Sequence, residues 1–168
     1  MLKKIGLALA LFLLPLGAMA QQYFAHTNSQ DIISEMREYK TAMATLESMQ
    51  KKYQDELNRV KDDFNAKYQS YLADVESLPR NIAERRQKEL QDLATRQEQF
   101  QQEALQSLQL ARQEAMAPIR QKVSEAIRAV AEADGYIYVF DLSTTPIAYV
   151  SSQSVDITDK VKAQLGIR

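Results

Sequence analysis

The sequence predicts an α+β chain: a long antiparallel α-helical coiled-coil hairpin joined to a small β head. Three observations predict it. The four glycines of the 168 residues are Gly6, Gly17, Gly135 and Gly166, so none falls between Gly17 and Gly135. A compact α/β fold seldom runs that far without glycine at its turns. The stretch between is rich in Glu, Gln, Lys, Arg, Ala, Leu and Met, all good helix formers. Runs of aromatic and β-branched residues stand only at its two ends, where strands are expected.

The first twenty residues read as an address. Met1-Leu2-Lys3-Lys4 is a short basic start, Ile5 to Leu16 is apolar, and Ala18-Met19-Ala20 is an Ala-x-Ala cleavage pattern. These are the parts of a secretory signal peptide, and the apolar run is shorter than the ~20 residues a bilayer span needs. No cysteine follows for lipid attachment. The mature chain is therefore expected from Gln21, exported and soluble, and periplasmic in a cell with two membranes. Removing Lys3 and Lys4 from the 21 basic residues leaves 19 against 22 acidic ones, a net charge of −3.

Tyr23 to Thr27 has strand composition, and Asn28 or Ser29 can cap the helix that follows, with Asp31 in its first turn. Ile32, Met36, Tyr39, Met43, Leu46, Tyr53, Leu57, Val60, Phe64 and Tyr71 then recur at helical spacing, with Gln50 and Lys67 as polar members of the series. The second arm repeats the pattern through Leu90, Leu93, Phe100, Ala104, Leu108, Ala111, Ala115, Ile119, Val123, Ile127 and Val130. So narrow a stripe suits a coiled-coil seam better than a globular core.

Pro79, in Ser77-Leu78-Pro79-Arg80-Asn81, is the place for the chain to turn back. The arms should run from Ser29 to Ser77 and from Arg80 to Asp134, each about 70–80 Å long at 1.5 Å per residue. Pro118 lies inside a pattern that resumes at once, so it reads as a kink and not an end. Asp134-Gly135 supplies the C-terminal cap.

Tyr136-Ile137-Tyr138-Val139-Phe140 is the clearest strand, apolar on both faces. Ser143-Thr144-Thr145-Pro146 reads as a turn, Ile147 to Val150 as a returning strand, and Asp159 to Leu165 as a short helix ended by Gly166. The expected organisation is a signal peptide over 1–20, a β body from 21–28 and 135–168, and a helical hairpin over 29–134 with its tip near 77–81. A head of about three strands is marginally stable by itself and would leave apolar surface exposed. Association of several heads through Tyr136, Ile137, Tyr138, Val139 and Phe140 would pool their strands, so an obligate homo-oligomer is expected.

The order of these segments resembles the Skp/OmpH family of periplasmic chaperones. The likeness rests on Phe24-Ala25-His26-Thr27-Asn28-Ser29, Met36-Arg37-Glu38-Tyr39-Lys40, Gly135 to Asp141 and Asp156-Ile157-Thr158-Asp159-Lys160-Val161, and it covers essentially the whole mature chain. The resemblance implies a homotrimer whose heads form a barrel-like body. Three hairpins would extend from that body as tentacles around a cavity. It also implies clients: unfolded outer-membrane proteins, held without ATP until they reach the membrane-insertion machinery. Members of the family can be strongly basic, whereas here only the tip is locally positive, with Arg80, Arg85, Arg86 and Lys88 against Glu84 and Glu89. Weak contact of the tip with a membrane surface or the insertion machinery is the corresponding expectation.

Candidates for a client-facing cavity wall are Met36, Met43, Met49, Tyr53, Phe64, Tyr68, Tyr71 and Phe100, with Tyr39 beside them. Flexible apolar side chains, Met above all, adapt to varied partners. Those on the seam also have the plainer role of joining the arms, so Met49 and Tyr68, which lie off it, are the better candidates. Enzymatic readings gain nothing. There is no Cys, the only His is His26, and no glycine-rich phosphate loop or nucleophile motif accompanies it. No catalytic residue, metal or cofactor is expected, and near-neutral charge argues against nucleic acid. The competing reading is an exported structural coiled-coil adaptor of the cell envelope.

Overall fold

The structure, a computed structural model, describes residues 24–167. The expected signal peptide lies outside these residues. Seven elements follow in order: β1 (Phe24–Thr27), α1 (Ser29–Glu35), α2 (Arg37–Asp74), α3 (Arg80–Asp134), β2 (Tyr138–Asp141), β3 (Val155–Asp156) and α4 (Thr158–Gln164). They divide into two units, a head of residues 24–30 and 125–166 and an arm unit of residues 31–124.

In the head, β1 is the central strand of a three-stranded sheet ordered β2-β1-β3. Both neighbours run parallel to it, with Phe24 opposite Tyr138, His26 opposite Phe140, and His26 opposite Asp156 on the other side. Parallel neighbours need crossover connections, and the helical chain from 29 to 134 supplies the one between β1 and β2. Ala25 and Thr27 point to the buried face and are fully enclosed, as are Ile157 and Val161 at the start and within α4. The Thr27 and Thr158 hydroxyls meet there at 3.2 Å, and Thr158 Oγ1 also accepts from the Asn28 amide.

Two expectations for the head are corrected. Ile147 to Val150 does not form a returning strand; it is irregular, with a bend at Ala148, and the third strand is Val155–Asp156. The edge of β1 is taken by β3 because the Ile157 amide donates to the His26 carbonyl, continuing the ladder into the turn before α4. The strand expected over 136–140 begins later, at Tyr138, and runs to Asp141. Gly135 has φ +73° and the Tyr136 amide reaches back to the Ala131 carbonyl, so the helix cap uses up the first residues after α3.

The arm unit pairs α2 with α3 antiparallel. Three cross-arm contacts set the direction: Glu38 with Lys122, Tyr53 with Phe100, and Asp74 with Arg86. The first arm is not continuous from Ser29 to Ser77. Met36 is extended (φ −64°, ψ 135°), which separates α1 from α2, and α2 ends at Asp74. The turn then runs through Val75 to Pro79, where the Ile82 and Ala83 amides donate to the Pro79 carbonyl. Helix α3 continues through Pro118 for 55 residues, about 80 Å at 1.5 Å per residue. No residue of α2 is buried, whereas α3 buries Leu90, Ala104, Met116, Ile119 and Val123 within this unit.

Candidate functional site

The surfaces that could bind a partner fall into three groups, and each follows from a departure in the sequence pattern. Along the arms the seam carries polar residues at Gln50 and Lys67, and each lines a cavity between the helices. Gln50 borders a groove of about 600 Å³ with Tyr39, Met43, Leu46 and Leu108. Lys67 borders one of about 170 Å³ with Tyr71, Arg86 and Leu90. A polar side chain in a two-helix seam turns out to water, so the apolar zip opens beside it.

The side chains expected on a client-facing wall are not alike in the structure. Met36 is 2% exposed and presents no surface. Tyr53 and Phe100 meet across the arms with ring centroids 5.9 Å apart, a contact that joins the helices. Phe64 is half-buried and stacks on Tyr68 at 6.0 Å, one helical turn on. Tyr68 and Met43 are exposed, while Met49 and Tyr71 are half-buried. The structure adds Leu72, Leu105 and Leu110, which stand exposed as large apolar residues. Sequence reasoning missed them because it followed the seam. They lie off the 3/4 series, and an apolar residue on a polar face was itself the available signal.

At the turn, Arg80, Arg85 and Arg86 each meet a carboxylate: Glu84 at 2.8 Å, Glu89 at 3.8 Å and Asp74 at 2.9 Å. Among the described residues Lys88 has no such partner. The local positive field is correspondingly small, and exposed pairs of this kind contribute about 0–1 kcal/mol each.

The third surface is the open face of the head sheet. Phe24, Tyr138 and Phe140 share that face through the β1–β2 register and stack in a row, with centroids 6.1–6.4 Å apart. All three are exposed, Tyr138 at 60%. Ile137 is exposed too, and Tyr136 and Val139 are half-buried. The unpaired segment after β2 adds Leu142, Ile147, Val150 and Tyr149, the last 80% exposed. Together with His26 and Ser154 these residues enclose a hollow of about 260 Å³. His26 Nδ1 lies 2.9 Å from Ser154 Oγ, and its Nε2 lies 3.9 Å from Asp156.

Two carboxylates fix the head's connections. Asp141 accepts from the Ser29 amide and hydroxyl and from the Ser143 amide and hydroxyl. Burial raises the Asp141 carboxyl, but these four bonds outweigh it and hold the group below its ordinary value. Asp156 shows the same balance. Burial is opposed by the Thr158 hydroxyl and amide, with His26 and Lys162 adding charge, and the net direction is downward. Among the described residues no cluster of His, Cys, Asp and Glu could hold a metal ion, and no helix is long and apolar enough to cross a membrane.

An antiparallel helical pair, a minimal parallel sheet and apolar side chains left on the outside of both define a helical-hairpin protein whose features are surfaces for contact. The sequence profile of the family described as Outer membrane protein (OmpH-like) matches residues 23–165. The chain belongs to the OmpH-like family. It is similar in fold to a crystal structure from Caulobacter crescentus CB15, described as that of a candidate outer membrane chaperone (OmpH-like). The TM-score is 0.73 at 18% identity, over 84% of this chain and 82% of that one. No curated protein sequence matches it.

Proposed function

We propose that the protein is an exported, ATP-independent holdase that keeps unfolded outer-membrane proteins from aggregating in the periplasm. The observation that carries this reading is the set of large apolar side chains standing free along the paired helices: Met43, Tyr68, Leu72, Leu105 and Leu110. Membership of the OmpH-like family and the likeness to a candidate chaperone support it. A folded monomer gains nothing from such residues, whereas an unfolded chain with scattered apolar groups can be held by them. Each contact is weak. Several arms around one client raise the effective concentration, and avidity then replaces tight binding. Release needs no nucleotide, because each contact breaks singly.

The proposal includes assembly. The row of Phe24, Tyr138 and Phe140, with the outer edges of β2 and β3, is the surface on which a second and third head would add. A homotrimer formed through residues 136–140, with the hairpins of residues 29–134 around a shared space, is the arrangement we favour. A signal peptide over 1–20 would deliver it to the periplasm. The tip residues Arg80, Arg85, Arg86 and Lys88 have only a minor role in this scheme, since three of them are already ion-paired.

The test is dilution of a urea-unfolded β-barrel protein into buffer with and without the protein. Light scattering should stay low at about one assembly per client, the stoichiometry that enclosure requires. Undiminished scattering, with tight binding of one folded envelope protein instead, would favour a structural adaptor and defeat the proposal.

A further inference from the structure

The groove beside Gln50 combines an apolar floor with a charged rim. Its floor is apolar, made by Tyr39, Met43 and Leu46 of α2 and Leu108 of α3, with Ala44 too small to fill it. Lys40 and Glu47 flank Ala44 at helical spacings of four and three, and Arg112 follows Leu108 by four, so these three charged side chains line the same groove. Several other charges of this unit are taken up locally, Lys122 with Glu38, Arg59 with Glu56 and Lys67 with Asp63. Among the described residues Lys40, Glu47 and Arg112 form no ion pair. The rim therefore carries two free cations against one carboxylate, over an apolar floor of a size usual for ligand sites.

We propose that this groove seats an apolar side chain of an extended client segment that carries an acidic residue next to it. The inference rests on the holdase reading and deepens it, by giving the arms a preferred sequence chemistry. An apolar occupant alone would strip water from Lys40 and Arg112 without replacing it, which is unfavourable. A neighbouring carboxylate supplies the missing partner, and a neighbouring lysine is repelled by the net positive rim. The long stems of Lys40 and Arg112 can lie along the apolar surface while their heads meet the carboxylate.

The test uses the full-length mature protein and two dye-labelled peptides of about ten residues, long enough to lie extended across the groove. Both alternate Leu or Phe with charged residues, Asp in one and Lys in the other. Fluorescence anisotropy should show the Asp peptide binding about tenfold tighter, the discrimination expected from one compensated charge contact. The double variant K40E/R112E should invert that order, and M43Q should weaken both peptides. Both cations are exposed, so folding should survive; circular dichroism checks it. As a second measurement on the unaltered protein, raising salt from roughly 0.05 to 0.5 M should erase the preference.

Equal affinity for the two peptides, or an order unchanged in K40E/R112E, overturns the proposal. So does absence of peptide binding in the assembled protein, which would mean that a second copy already covers the groove. These outcomes are separate from the client assay. Suppressed aggregation without peptide preference removes the groove and keeps the holdase; the converse removes the holdase and keeps the groove.

Discussion

Asp141 shows how one side chain ties distant segments together. Its carboxylate bridges the start of α1 to the turn after β2, through four hydrogen bonds from Ser29 and Ser143. Charge-assisted bonds of this kind are stronger than neutral ones. Replacing Asp141 with Ala should lower stability by about 1–3 kcal/mol, read from urea unfolding. Asn at the same position should recover part of the loss, since it keeps acceptor capacity on one side. The folded pKa of Asp141 is depressed, so its contribution is present above the ordinary value of 3.8 and is lost as pH falls through the lower folded value. Asp141's share of the acid limb should therefore lie below pH 3.8 and be absent in the Asn variant. A profile unchanged by that substitution would remove Asp141 from this role. The sequence showed an Asp at the end of a strand and a Ser before a helix. It could not show that they meet, because 112 positions separate them.

At the scale of elements, the two arms differ. Helix α2 buries none of its 38 residues, and α3 buries five within the arm unit. Local opening energies follow buried contacts, so hydrogen exchange should be faster across α2 than across the facing part of α3. Equal protection would show that the pair opens as one. Pro118 lacks the amide that would bond to the Glu114 carbonyl, and it lines a cavity of about 320 Å³ together with Met36, the residue where the first arm is interrupted. Pro118→Ala should strengthen α3 by about 1–3 kcal/mol and slow exchange between residues 114 and 122. No change there would mean that neighbouring contacts already compensate for the missing bond. Helix existence, the turn at Pro79 and the glycine cap at Gly135 were legible in the sequence, because proline, glycine and the 3/4 period act within a few residues of themselves. The break at Met36 was not legible. Nothing in Ser34-Glu35-Met36-Arg37 disfavours a helix, and Met36 is held extended with its side chain 2% exposed.

For the whole molecule, the head's open aromatic face carries the largest expectation. Changing Tyr138 and Phe140 to Ser should shift sedimentation from assembly to monomer and abolish suppression of client aggregation together. A monomer that still suppresses aggregation would show that the arms act without a shared enclosure. The candidate binding wall was legible only in part. Tyr68 is exposed as expected off the seam, but Met49 is half-buried, Met43 is exposed although it belongs to the seam series, Tyr53 and Phe100 face each other, and Leu72, Leu105 and Leu110 came to light only in the structure. Periodicity ranks residues by helix face, and it does not say how far the facing helix reaches to cover them.

The sequence by itself determined the paired helices, their turning point and the aromatic strand. Each depends on near-neighbour chemistry: helix propensity, proline, glycine and a repeat of three and four. Only the tertiary structure decided that β1 is central, that both its neighbours run parallel, and that Val155–Asp156 takes the place expected for Ile147 to Val150. Strand pairing is set by backbone ladders between segments over a hundred residues apart. The short run from Ile147 to Val150 has strand composition but pairs with neither β2 nor β3. Burial and hydrogen bonding to β1, not local preference, selected the strand.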